Sequence, residues 1–291
     1  MRVAILGYFD YHLECIGFML EVYNNKNNSI DIYLKRDIDY FDWIKYYLTL
    51  YNFNIIYDKI SKDIINNYDK VFKLTSNDDC LDDKNIISIL HLDGKPQKKC
   101  KSEKFISLTP YIQGKNIYYT FPIYSPILSD CSNYSKIVTM IGHYTNNDFD
   151  NDTINFINNN MKYQFFFVIR GDRSYPNLKN LQNVKLFTNL KTDDINTIIN
   201  YSKFILSKKN INYDRFSGQL SLAMSYEKPL IIDVKTKNAY NLPGITFEND
   251  YSEIGFLDDI TDEKYKSIKN QIKSLKIDLI YKNKEVFNSM F

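Results

Sequence analysis

The residues best suited to chemistry lie between Phe204 and Asp233, in FILSKKNINYDRFSGQLSLAMSYEKPLIID. Lys208, Lys209, Asp214 and Arg215 share a polar stretch there. Ser217, Gly218 and Gln219 then open a segment in which Leu220, Ala223 and Met224 recur at helical spacing. A helix that starts on Ser-Gly offers free backbone N–H groups and the positive end of its dipole, and adjacent Lys and Arg side chains deepen that potential. Phosphate binding is the chemistry such a place supports. The plainer alternative makes Ser217 an N-cap and leaves the lysines solvated.

Two other pairs of loops carry reactive side chains. Gly142-His143 and Arg170-Gly171-Asp172-Arg173 each follow an apolar run of the second half, and ligands of open α/β sheets gather at the carboxyl ends of strands. In the first half, His12 follows the opening apolar run in GYFDYH, and His91 closes IISILHL ahead of Asp93-Gly94. Either histidine can serve as a general base near neutrality, and Asp10 is a third candidate; a satisfied structural histidine is the common alternative fate. The acidic doublets Asp78-Asp79, Asp82-Asp83 and Asp193-Asp194 read as solvated loops and not as metal ligands. Cys15, Cys80, Cys100 and Cys131 stand far apart, without metal spacing, and predict reduced thiols in a cytosolic setting.

The elements that must position these residues alternate as a parallel sheet demands. In the first half, strands are predicted at Val3 to Leu6, Ile30 to Tyr33, Asn54 to Tyr57, Val71 to Leu74, Ile86 to Leu92, Phe105 to Leu108 and Ile117 to Phe121. Helices are predicted over Tyr11 to Tyr23, around Phe41 to Leu48, and through Ile64. PIYSP then places two prolines within five residues and predicts a linker. The second half restarts with strands at Lys136 to Ile141, Gln164 to Ile169, Val184 to Phe187, Phe204 to Leu206, Leu230 to Ile232 and Ile245 to Phe247. Its helices carry Ile154 and Ile157, Ile195 to Ile199, and Leu220 to Met224. Tyr265, Ile268, Ile272, Leu275 and Leu279 give a last helical face over Thr261 to Phe287.

The second half resembles the donor-binding half of glycosyltransferases of the two-Rossmann-domain (GT-B) architecture. Those enzymes carry an acidic residue, a Phe-Gly pair, a helix bearing Glu-Ala-Met, then Gly-x-Pro and an apolar strand. Asp214, Phe216, Ala223, Met224, Lys228, Pro229 and Leu230 to Ile232 stand at matching offsets, and Ser217 to Ser221 is similar to a Ser-Gly-Ala-Leu-Thr pattern of some inverting members. Ser217 and Glu227 replace glycines of the pattern, and Leu222 stands where a ribose-binding Glu is usual. The Arg and Lys that often follow the glycine at position 142 are His143 and Asp148 here. The resemblance covers residues 135–250; the first half is similar in architecture only.

What the resemblance implies is two Rossmann-like α/β domains with parallel sheets facing across a cleft, residues 1–124 on the acceptor side and 125–260 binding the donor. A C-terminal helix, 261–291, would pack back on the first domain. It implies a glycosyltransferase moving a sugar from a nucleotide-sugar, UDP- or GDP-linked, to a glycan or small-molecule acceptor without cofactor or essential metal. Gly142, His143, Arg170, Gly171, Arg173, Lys208, Lys209, Asp214, Ser217, Gly218 and Gln219 would contact the donor; Asp10, His12 or His91 would orient or deprotonate the acceptor. A non-catalytic module that binds a sugar nucleotide or glycan on the same shell is the alternative.

Composition bounds these expectations. At 291 residues, with 44% hydrophobic and 15% aromatic content, the chain is long and apolar enough for two domains of average size or one large one. Lys and Arg number 37 against 35 Asp and Glu, which argues against a dedicated nucleic-acid binder. Asp10 and Glu14 interrupt the apolar start, so neither a signal peptide nor a membrane span is expected. An excess of Asn, Ile, Lys and Tyr points to an AT-rich genome, such as a large DNA virus or parasite, with a cytoplasmic protein. A lone Gly7 after the first strand, and the lack of P-loop or G-x-S-x-G patterns, disfavour dehydrogenase, NTPase and hydrolase chemistry.

Overall fold

The structure, a computed structural model, describes residues 1–7, 13–35, 41–58, 60–74, 86–90, 104–124, 136–169, 174–209 and 216–290. These fall into two compact units, one drawn from Met1–Pro126, Tyr213–Phe216 and Asp278–Phe291, the other from Ile127–Asn212 and Ser217–Ile277. Asp10, His12, His91, Arg170, Gly171, Arg173 and Asp214 lie outside the described residues.

The first unit runs β1 (Arg2–Gly7), α1 (Ile16–Tyr23), β2 (Ser29–Leu34), α2 (Phe41–Leu48), β3 (Asn54–Ile56), α3 (Lys62–Ile65), β4 (Lys70–Lys73), β5 (Ile86–Leu90), β6 (Lys104–Ser107) and β7 (Ile117–Tyr119). Its strands lie in the order β3-β2-β1-β4-β5-β6-β7, every neighbouring pair parallel. Runs such as Val3 to Leu6, all at 0% exposure, are apolar on successive residues because both faces of a parallel sheet are covered. On one face Ala4, Leu6, Tyr33, Ile65, Val71 and Ile86 share a core. On the other, Phe72 meets the rings of Tyr23 and Phe287 at 5.4 Å each. The buried carboxylate of Asp31 is satisfied by Tyr68 Oη and Asn54 Nδ2, both donating at 2.7 Å. The predicted first helix opens, among its described residues, as a 3-10 turn over Leu13–Cys15 that passes into α1.

The second unit runs β8 (Ile137–Gly142), α4 (Asn151–Asn159), β9 (Gln164–Ile169), α5 (Pro176–Lys179), β10 (Val184–Thr188), α6 (Thr192–Tyr201), β11 (Phe204–Leu206), α7 (Gly218–Ser225), β12 (Leu230–Asp233), α8 (Val234–Tyr240) and β13 (Gly244–Phe247). The order β10-β9-β8-β11-β12-β13 is again parallel throughout. Each sheet therefore reverses its direction of growth once, the first between β1 and β4 and the second between β8 and β11. Helices α5 and α8 were not expected from periodicity. Asp233 starts α8 directly from the end of β12 by accepting from Thr236 N at 2.8 Å, a cap that overrides the polar composition of VKTKNAY.

The last helix, α9, spans Asp262–Ser289, and only its residues from Asp278 belong with the first unit. Up to Ile277 it belongs with the second, where Tyr265 sets its ring against Phe204 at 5.6 Å. Beyond, Asn283 Nδ2 donates to Phe121 O at 2.8 Å, and Phe287 and Met290 are fully buried. No helix among the described residues is long and apolar enough to cross a membrane.

Candidate functional site

The carboxyl edge of the second sheet, where β8 and β11 adjoin, is the place at which such sheets take ligands. Helix α7 begins beside it. Ser217 has the extended backbone of an N-cap, yet its own side chain makes no capping bond to the first turn of α7. The Gln219 amide of that turn donates to Leu206 O, the last residue of β11, which fixes the helix start to the strand end. At the far end Lys276 Nζ donates to Ser225 O at 2.8 Å, a cation on the negative pole of the helix. From Gln219 to Ser225 the helix is buried. Its carboxyl end is thus closed by a cation, while the Ser217 side chain leaves its amino end uncapped.

On the β8 side of the same edge, Gly142 adopts φ +148°, a backbone conformation that glycine alone takes readily, and the exposed His143 follows it. A Cβ on Gly142 would meet nothing nearer than Tyr144 Oη at 3.7 Å, so the cost of filling the position is conformational. Gly142→Ala is expected to lower stability by about 1–2 kcal/mol, read as an earlier midpoint in urea unfolding.

Lys208 and Lys209, expected to face phosphate, have partners within the unit. Lys208 Nζ pairs with Asp148 Oδ2 at 2.8 Å and lies over the Tyr144 ring. Lys209 Nζ is buried among three carboxylates, with Asp150 Oδ2 at 2.8 Å, Asp152 Oδ2 at 2.9 Å and Asp250 Oδ1 at 3.3 Å. Partial burial pushes the Asp150 and Asp152 carboxyls up, but the bonds from Lys209 and from backbone N–H groups outweigh it and hold both below the ordinary range. Burial likewise lowers Lys209, and the carboxylates reverse that into a net rise. The cluster ties the turns after β8, β11 and β13 together: Asp150 caps α4 at Thr153 N, Asp152 accepts from Tyr251 N and Ser252 N, and Tyr251 Oη donates to Ser207 O. In charge it is two negative units in excess, the reverse of a phosphate cradle. The cationic part of these two lysines' expected role is therefore met inside the protein.

Of the expected donor contacts, the structure brings Gly142 and His143 to the end of β8, and Ser217, Gly218 and Gln219 to the start of α7 by the end of β11. The sequence carries no signal for Ser207, whose hydroxyl is fully buried after β11 with no hydrogen-bond partner among the described residues. Glu227 takes φ +51°, which accounts for the glycine usual at that position; its carboxylate lies 3.6 Å from Lys276 Nζ.

No protein-family model matches the chain, and no curated protein matches it. Solved structures do match in fold. Anabaena Alr3699/HepE in complex with UDP-glucose is similar at a TM-score of 0.67 and 9% identity, over 100% of this chain and 99% of that one. UDP-GlcNAc 2-epimerase from Neisseria meningitidis, bound to UDP-GlcNAc, gives 0.56 at 11% identity, over 97% and 100%. The glycotransferase of kitacinnamycin gives 0.54 at 8%, over 100% and 98%. At such identities the likeness is one of fold, and that fold is GT-B, two α/β units each built on a parallel sheet.

Proposed function

We propose that this chain is a glycosyltransferase that holds a UDP- or GDP-linked sugar on its second unit and passes the sugar to a glycan or small acceptor taken by its first, without an essential metal. The observation that carries this reading is the first turn of α7, to which the Ser217 side chain makes no capping bond, at the carboxyl edge beside β11, in a fold similar to that of chains solved with UDP and with UDP-glucose. Backbone N–H groups at Gly218 and Gln219 would receive the diphosphate. As the acceptor oxygen bonds to the anomeric carbon, the bond from that carbon to the phosphate oxygen breaks and its electron pair leaves with the nucleoside diphosphate. Fixed N–H dipoles stabilise that growing charge without reorganisation. With Lys208 and Lys209 held by aspartates, Arg170 and Arg173 are the proposed cations, and Asp214 the proposed contact to a sugar hydroxyl. Asp10, His12 or His91 would take the acceptor proton. The composition supports an AT-rich source, a large DNA virus among them, with action in the cytoplasm.

A second reading has its own support. Leu222, 6% exposed in α7, has no group for a ribose diol, and the lysines lend little net charge, as a binding module that has lost turnover would show. Calorimetric titration with UDP, GDP and their sugar conjugates, followed by assay for free sugar, transferred sugar and the 2-epimer, separates these. Binding with transfer or hydrolysis is expected. Binding without turnover favours the module, epimer formation favours an epimerase, and no nucleotide binding removes all three.

A further inference from the structure

Among the described residues the hydroxyls of Thr120, Ser207, Ser221 and Thr236 are buried without a hydrogen-bond partner. Of these four, only Ser207, 0% exposed, follows a strand where a sheet reverses its order, here between β8 and β11. Both of its peptide groups are committed. Its N–H donates to Ile231 O at 2.8 Å, and its carbonyl accepts from Tyr251 Oη at 2.7 Å. The peptide unit that supplies that N–H also offers Leu206 O to the Gln219 amide, so the first turn of α7 is bonded to the backbone that carries Ser207.

The sheet decides which way the hydroxyl points. The ladder to β12 continues through Ser207, so its side chain alternates with that of Leu206 and shares a face with Ile205 and Thr139. The other face carries Phe204, Val138 and Phe165 in register, and there Phe156 of α4 meets the Phe165 ring at 5.8 Å. Helix α4 joins β8 to β9 and α7 joins β11 to β12, in opposite directions across the sheet; right-handed connections therefore put α7 on the face of Ser207. The hydroxyl and the first turn of α7 lie on one face at one edge. A buried hydroxyl without a partner is costly, and a ligand that brings an acceptor recovers that cost.

We infer that the Ser207 hydroxyl is a further contact for the donor, donating to the diphosphate beside the N–H groups of Gly218 and Gln219. This rests on the reading of α7 as the phosphate-binding helix. The hydroxyl is closed to solvent, so a phosphate oxygen reaches it by displacing the atoms that cover it, and the bond then formed is charge-assisted. The test is calorimetry of the full chain with UDP, GDP and inorganic pyrophosphate, for the wild type and Ser207→Ala, with urea unfolding of both. Ser207→Ala is expected to bind the nucleotide about tenfold or more weakly, the factor that a hydrogen bond to a charged group supplies. Its midpoint in urea should hold or rise, because alanine removes an unpaired polar group. A merely structural serine would lose affinity and stability together, or leave affinity untouched. Equal nucleotide affinity in the two proteins, or a lower urea midpoint in Ser207→Ala, overturns the contact and leaves the nucleotide-sugar reading standing. Loss of nucleotide affinity with pyrophosphate binding unchanged places the hydroxyl on the nucleoside and overturns the diphosphate assignment; where pyrophosphate binds too weakly to measure, the nucleotide arm decides alone. A wild type that binds pyrophosphate but neither nucleotide, with that binding lost in Ser207→Ala, upholds the contact and overturns the nucleotide-sugar reading. A wild type that binds none of the three overturns both.

Discussion

Gly218→Asp is expected to weaken UDP binding by about a hundredfold or more, while the melting temperature stays level or rises slightly. Position 218 is the first residue of α7, and the Ser217 side chain puts no acceptor on the N–H groups that follow. A carboxylate there would sit on the positive end of the helix, which favours it by about 0.3–1 kcal/mol, and would occupy by charge the place reserved for the diphosphate. Repulsion between it and the phosphates costs several times as much as the helix gains, so affinity and stability move in opposite directions. That opposition separates the effect from misfolding. Wild-type affinity for UDP in Gly218→Asp would take α7 out of the site.

Lys209→Met is expected to destabilise the second unit by about 3 kcal/mol. Removing the cation that Asp150, Asp152 and Asp250 share among the described residues leaves them facing each other, and breaking a buried pair by deleting one partner costs about 3–5 kcal/mol. Asp150 and Asp250 are 46% and 54% exposed, so water screens part of the repulsion and the low end applies. The pH dependence is specific. In the wild type the lowered carboxyls contribute stability above their ordinary value of 3.8, lost as acid carries the pH through the folded values; the raised Lys209 contributes below its ordinary 10.5, lost as alkali carries the pH through its folded value. The cluster is therefore intact from mildly acid to mildly alkaline pH. In the variant the folded state welcomes protons that relieve the crowding, so the gap in melting temperature between variant and wild type should narrow as pH falls from about 7 to about 4. A gap that is constant with pH would mean that the lysine acts by packing alone.

Much of the fold was legible because parallel strands buried on both faces write themselves as apolar runs: Gln164 to Ile169 and Phe204 to Leu206 are strands with the bounds the sequence predicts. The start of α7 at Gly218 was legible too, since Ser-Gly ahead of a helical period is local information. The fate of the lysines was not. Their charge in KKN is visible, but the carboxylates that meet Lys209 lie 59, 57 and 41 residues away along the chain, and only the sheet order brings them together. Glu227 is an intermediate case, a position where the resemblance asks for glycine and the left-handed backbone explains why.

The course of α9 sets a timetable for biosynthesis. Phe18, Tyr23 and Phe72, near the start of the chain, complete their aromatic cluster with Phe287, and Phe121 waits for Asn283. The half of the protein that leaves the ribosome first is thus missing a wedge of its interior until everything through Ile277 has been translated, and a ribosome stalled short of Asp278 would display an unfinished apolar surface to whatever chaperone stands nearby.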